Sequence, residues 1–167
     1  MLKLSKLLSD GRRQVTGFLL PGDYLGLASA ERYIYSAEAV TPVRICRFAR
    51  AAFLGLLEQF PALEKALLGR AATELAAAQK QMLLLGRKTA RERVATFLAE
   101  LAARAGNQGG VVELSMTRTD IADYLGITTE TVSRTLTSLR KDGLIDIPRP
   151  HLFKILQYSG LFAASGD

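Results

Sequence analysis

Residues 117–143 read TRTDIADYLGITTETVSRTLTSLRKDG, and nearly every position in this stretch answers a geometric demand. Thr117 and Asp120 have the spacing of a helix capping pair. Ile121 and Leu125 fall four apart on one helical face, and Ala122 is small where a second helix must cross closely. Gly126 permits a tight turn, and Ile127 plugs the corner. Thr128 can cap a second helix whose inner face is Val132, Leu136 and Leu139 and which Gly143 ends. An ordinary pair of core helices would not need small residue, turn glycine and apolar positions to coincide in this way. The pattern predicts a helix-turn-helix.

The outward face of the second helix holds Glu130, Ser133, Arg134 and Thr137, spaced i, i+3, i+4 and i+7, so all four project to one side. Their chemistry suits base edges. Arg134 can donate two hydrogen bonds to guanine O6 and N7, Glu130 can accept from cytosine N4, and Ser133 or Thr137 can meet thymine or a phosphate. A glutamate facing a phosphate-lined groove is repelled unless a donor stands beside it, so its place next to Arg134 favours base reading over plain charge attraction. The alternative is an i, i+4 ion pair on a solvated face, worth about 0.3–0.5 kcal/mol. Supporting or backbone-contacting positions are Thr117, Arg118, Thr128, Thr129, Thr137 and Arg149. Downstream, 144–147 and 152–155 flank Pro148-Arg149-Pro150-His151 and predict a two-stranded wing with a stiff tip, from which Arg149 would meet a phosphate. His151 reads as a tip residue, since no second ligand lies at metal spacing.

Upstream, good helix formers dominate from Arg50 to Gly106. A short helix is expected over Ala51–Glu58. A long one follows from Pro61, a favoured first-turn residue, to Gly86, a favoured C-terminal cap. Within it Leu68, Leu75 and Met82 recur every seven residues, and Ala71, Ala78 and Leu85 follow offset by three, the a and d positions of a heptad. Two readings stand: a face packed on its own domain, or a seam between two chains. A third helix starts at Thr89, whose spacing to Glu92 is a capping box, presents Val94, Phe97, Leu98 and Leu101, and ends near Gly106. Asn107–Gly110 reads as a loop and Val111–Leu114 as a short strand.

Residues 1–48 read as strands. Leu2 and Leu4 against Lys3 and Ser5 give a partial alternation, and Asp10-Gly11 supplies a hairpin turn before a strand from Arg13 to Leu20. Pro21-Gly22-Asp23 breaks that strand; Tyr33–Ala39 and Val43–Phe48 are further candidates. Cys46 is expected to be a small apolar core residue on the last of these.

Composition narrows the chemistry. The chain has 167 residues, a net charge of +6, one cysteine and one histidine. That excludes an intrachain disulfide, a four-cysteine zinc site and a self-sufficient iron–sulfur cluster. Any serine- or cysteine-histidine mechanism would pass through His151, which has no nucleophile signature around it, so an enzyme is not expected. With no apolar run of 18 residues and no cleavable leader, a cytoplasmic protein without a membrane partner is the expectation. The positive charge leans toward a polyanionic partner. Its densest cluster is Gly86–Arg93, whereas residues 117–167 carry as many acids as bases, so net charge does not locate a site.

Three stretches together resemble the Crp/Fnr family of bacterial transcription regulators, most closely its FixK and FnrN-type branch. They are Leu19-Leu20-Pro21-Gly22-Asp23, the run Leu85–Val94, and Asp120–Gly126 continued through Glu130–Arg134. The resemblance covers nearly the whole chain and implies an α+β fold. Its parts would be a partial antiparallel β-roll as sensor remnant over 1–60, a dimerisation helix over 61–86 and a winged helix-turn-helix over 87–167. It also implies a homodimer held through Leu68, Ala71, Leu75, Ala78, Met82 and Leu85, bound to palindromic double-stranded DNA. Glu130, Ser133 and Arg134 match that branch's Glu-x-x-Ser-Arg readers, which implies a TTGAT-like half-site, with half-sites about 34 Å apart. RNA polymerase or a full-length family member are further implied partners. The family's eight-stranded roll begins here in mid-roll, an expected N-terminal truncation. Where its cyclic-nucleotide binders carry Gly-Glu and Arg-Ser-Ala, Gly26-Leu27 and Tyr35-Ser36-Ala37 stand here, so no cyclic nucleotide, and no cofactor of any kind, is expected.

Overall fold

The computed structural model describes residues 1–26, 33–106 and 110–166. Strands β1 (Leu2–Leu7) and β2 (Arg13–Leu19) form the expected hairpin, and β3 (Ser36–Ala39) pairs antiparallel with the free side of β1, giving the order β2-β1-β3. Helices α1 (Arg50–Gln59), α2 (Pro61–Arg87) and α3 (Ala90–Arg104) follow, then β4 (Val111–Glu113), α4 (Arg118–Leu125), α5 (Thr129–Lys141), β5 (Ile145–Arg149), β6 (Leu152–Ile155) and α6 (Tyr158–Ser165). The second sheet has the order β4-β6-β5.

The hairpin turns at Gly11, whose φ of 84° only glycine adopts without strain. Its ladder then slips: Leu4 faces Gly17 but Ser5 faces Val15, which leaves Thr16 unpaired as a bulge. The slip turns Val15 and Phe18, three apart, into the core together. It is Lys3 and Ser5 of β1 that are buried, while Leu2 and Leu4 are only half-buried. The apolar alternation therefore points away from the packed face.

Val43–Phe48 is not a strand. Residues 42–49 have no regular structure, and Val43, Ile45 and Phe48 are exposed. A strand persists only with a ladder partner, and the sheet β2-β1-β3 does not extend to these residues. Cys46 is accordingly exposed and not a core residue. Tyr33–Ala39 contracts to Ser36–Ala39, which pairs with Leu2–Ser5 of β1. Gly86 does not cap α2: the helix runs on to Arg87 and ends at Lys88 in an extended conformation, with no left-handed residue needed. Pro61 does open it. The loop expected at Asn107–Gly110 lies, but for Gly110, outside the described residues.

The core gathers on α3. Val94, Phe97, Leu98 and Leu101 meet Leu125, Val132, Leu136, Leu139, Ile145, Phe153 and Leu161 in one cluster. Val15 and Phe18 belong to it as well, so the N-terminal hairpin and the helix-turn-helix share a core. Phe18 lies 5.4 Å from Tyr124 and 6.3 Å from Phe97 between ring centroids, and the latter two are 5.8 Å apart. Burial among these rings pushes the Tyr124 hydroxyl up to about 12. Helix α6 closes the core by seating Leu161 against α3. No described helix is long and apolar enough to cross a membrane.

Candidate nucleic-acid interface

Helix α4 starts with a complete capping box. Thr117 Oγ1 accepts from Asp120 N at 3.1 Å, and Asp120 Oδ2 accepts from Thr117 N at 3.1 Å. It ends at Gly126, left-handed at φ 63°, where a Cβ would meet Leu85 Cδ2 at 3.4 Å. Ile127 N closes the turn on Ala122 O at 3.1 Å. Thr128 caps α5 by accepting from Thr131 N at 3.1 Å.

Helix α5 is sharply two-sided. Val132, Leu136 and Leu139 are buried, and Thr129, Glu130, Ser133, Arg134 and Thr137 are exposed on the other face. Arg134 pairs with Glu130 at side-chain exposures of 76% and 70%, so water and ligand both reach the pair. Ser133 Oγ donates to Thr129 O at 3.0 Å and Thr137 Oγ1 to Ser133 O at 2.9 Å. With their protons turned to the helix backbone, both hydroxyls present acceptors outward, which suits an amino group of a base better than a phosphate. An open groove of about 500 Å³ runs along this flank, lined by Ser133, Arg134, Thr137, Ser138, Lys141 and Asp142.

The supporting residues divide. Thr117 and Thr128 commit their hydroxyls to capping. Arg118 is half-buried and donates to Pro150 O at 2.9 Å, bracing the wing tip; burial pushes its guanidinium below the ordinary arginine value. Arg149 and His151 are exposed at the wing. In α2 the residues Leu68, Leu75 and Met82 are 65%, 61% and 66% exposed. Ala78 is exposed and Ala71 half-buried. Leu85 differs, being half-buried and turned toward Gly126.

Sequence reasoning missed how the Gly86–Arg93 cluster is employed. Arg93 donates to Leu85 O at 2.9 Å, Lys88 O at 2.9 Å and Leu125 O at 2.8 Å, tying the end of α2 to the end of α4. Arg91 reaches Ser138 Oγ at 2.8 Å and Asp142 Oδ2 at 2.6 Å, holding the C-terminal half of α5. The available signal was position: arginines in the first turn of a helix oppose its dipole and need another purpose. Asp23 was likewise more than a turn residue. Its carboxylate pairs with Arg70 of α2 and Arg104 of α3 while accepting from Leu20 N at 2.8 Å.

Near that turn a hollow of about 240 Å³ is lined by Leu25, Tyr33, Tyr35 and Ala37. No cation stands among its described lining residues. Leu27, of the Gly26-Leu27 pair, lies outside the described residues.

A two-faced second helix, a glycine turn, a braced hairpin wing and a long connecting helix define a winged helix-turn-helix protein with a strand-built N-terminal unit. Residues 92–164 match the model of the Crp-like helix-turn-helix domain, and residues 1–60 that of the cyclic nucleotide-binding domain. The nitrogen fixation regulation protein FixK of Rhizobium meliloti is 39% identical over 96% of this chain and 72% of its own length. The transcriptional activatory protein AadR of Rhodopseudomonas palustris is 49% identical over 87% of this chain and 62% of its own. The structure of FixK2 from Bradyrhizobium japonicum superposes with a TM-score of 0.87 at 39% identity, covering 98% of this chain and 82% of that one. The chain belongs to the Crp/Fnr family. It spans about three-fifths of the length of the first curated relatives it matches.

Proposed function

We propose that this chain is a sequence-specific DNA-binding transcription regulator that acts as a homodimer on a palindrome of TTGAT-like half-sites. The observation that carries the reading is the division of α5: three apolar residues buried behind it, and Glu130, Ser133 and Arg134 exposed together in front. With α5 in the major groove, the Arg134 guanidinium donates to a guanine edge. Glu130 orients that arginine and accepts from an amino group, and Ser133 adds an acceptor. Arg149 neutralises a phosphate from the wing, with Thr129 and Thr137 flanking the helix. The exposed stripe Leu68, Leu75 and Met82, with the small Ala71 and Ala78 between, is the pairing seam, with Leu85 at its lower end. In this reading residues 1–60 form the sensor-type part, 61–86 the pairing helix and 87–167 the reading unit. The names of AadR and FixK, an activatory and a regulation protein, agree with this role.

The same stripe would serve a longer family member presenting an equivalent helix, and a chain that pairs only in that way would act by altering its partner's output. Titration onto labelled duplexes separates the two. Homodimeric reading gives tight binding to a palindrome with half-site centres one helical turn apart, and sharp loss on a half-turn insertion. Indifference to the insertion, or binding only after a longer relative is added, overturns it.

A further inference from the structure

Asp120 and Lys3 are 5% and 6% exposed, yet both are charged, and they lie 117 residues apart in the chain. Lys3 Nζ donates to Asp120 Oδ1 at 2.9 Å and reaches Glu38 Oε2 of β3 at 3.2 Å. Arg13 Nη2 donates to the same Oδ1 at 3.0 Å, and its guanidinium meets Asp123 Oδ2 at 2.8 Å. Gln14 Nε2 adds a bond to Asp123 O at 2.6 Å. The other oxygen of Asp120, Oδ2, closes the capping box of α4. One carboxylate thus serves two structures, the start of α4 through Oδ2 and the β1–β2 hairpin through Oδ1. Beside it Phe18 inserts against Phe97 and Tyr124.

Burial alone would raise the Asp120 carboxyl, but the hydrogen bonds from Lys3 and Thr117 outweigh it and hold the group below its ordinary value. Burial alone would lower Lys3, and the bonds to Asp120 and Glu38 raise it instead. Both groups are held charged. Charges this deep keep their partners at fixed geometry, because a displaced partner leaves an uncompensated ion behind. Helix α4 is therefore anchored to the hairpin along its length, by ions at its N-terminal end and by Tyr124 near its C-terminal end. Only the short turn 126–128 separates α4 from α5.

We propose that Lys3 and Arg13 are positioning residues for DNA reading: by seating the β1–β2 hairpin on Asp120 and Asp123 they fix α4, and through it the direction in which Glu130, Ser133 and Arg134 point. The proposal rests on the DNA-reading role above and adds that the reading head is not autonomous. Whatever shifts the hairpin shifts site discrimination, with no contact to DNA of its own.

The test uses the full chain with Lys3→Met and Arg13→Met, each of which removes one cation, keeps the apolar stem and leaves the Thr117–Asp120 box intact. Amide exchange over 118–125 and 129–141 is measured without DNA. The ratio of dissociation constants for palindromic and scrambled duplexes is measured on the active fraction, counted by stoichiometric titration. Each variant is expected to speed exchange over both helices and to shrink the ratio by about fivefold or more. Lys3→Arg, which keeps a cation at Asp120, restores both. Unchanged exchange in both Met variants overturns the proposal. So does faster exchange at an unchanged ratio, the outcome of a brace that stabilises without positioning. If the unmodified chain does not tell the two duplexes apart, the DNA-reading role falls, and the exchange arm still decides whether the hairpin holds α4 and α5.

Discussion

The ion pairs made by the two helices of the helix-turn-helix stand at opposite limits of exposure. Behind α4, Lys3 and Arg13 meet Asp120 with side chains 8%, 30% and 7% exposed. In front of α5, Arg134 meets Glu130 where both side chains are largely in water. The difference separates scaffold from reader. A buried pair cannot exchange partners without leaving a desolvated charge, so it fixes shape. An exposed i, i+4 pair contributes little to stability and can give up its contact to a base at small cost. The N-terminal strands and α4 therefore meet in one rigid junction, while the face of α5 turned outward stays chemically available.

The sharpest way to break this contrast is to remove the buried acid. Asp120→Ala takes away a cap and leaves Lys3 uncompensated, and is expected to lower unfolding free energy by about 3–5 kcal/mol in urea titrations. The mirror change at the reader, Arg134→Ala, is expected to leave urea stability within about 0.5 kcal/mol of the parent. A large stability loss there would show that the pair belongs to the scaffold. Gly126→Ala lies between the two: its φ of 63° is left-handed, which costs a side-chain residue about 1–2 kcal/mol.

Acid sharpens the comparison further. The Asp120 carboxyl is held below its ordinary value of 3.8, chiefly by Lys3 and Thr117 against the opposing effect of burial. A depressed carboxyl adds stability above its unfolded value, and that stability is lost as pH falls through the folded one. Urea midpoints should therefore hold level above about pH 5 and fall below about pH 4, and Asp120→Asn should flatten that fall. Glu38, held low mainly by its hydrogen bond with Lys3, acts in the same direction. The smallest effect is expected from Glu130→Gln, which should leave urea stability at neutral pH within about 0.5 kcal/mol of the parent.

The helix-turn-helix was legible because its determinants are local. Capping pairs three residues apart, a turn glycine and apolar positions four apart can all be read without knowing the rest of the fold, and Thr117–Asp120, Gly126 and the inner face of α5 stand where those rules put them. Strands obey no such rule. Val43–Phe48 has strand composition and no ladder partner, and Cys46 is exposed with it. On β1 the apolar alternation favours Leu2 and Leu4 as the packed face, but Lys3 turns inward because a carboxylate 117 residues further along the chain awaits it. Arg91 and Arg93 stand in the densest basic cluster of the sequence and serve as intramolecular clamps, since the side chains and helix-end carbonyls they meet cannot be located before the helices are assembled. Helix α6 has no polar stripe to announce it, and its place follows only from the seat that α3 offers Leu161.

The most direct measurement is a fluorescence-anisotropy titration of the parent chain, Arg134→Ala and Arg149→Ala on a TTGAT-type palindrome and on a scrambled duplex at one salt concentration. Arg134→Ala should weaken the palindrome by about 1–3 kcal/mol and leave the scrambled duplex nearly unchanged, whereas Arg149→Ala should weaken both alike. Equal losses on the two duplexes for Arg134→Ala would contradict the assignment of α5 as the reader.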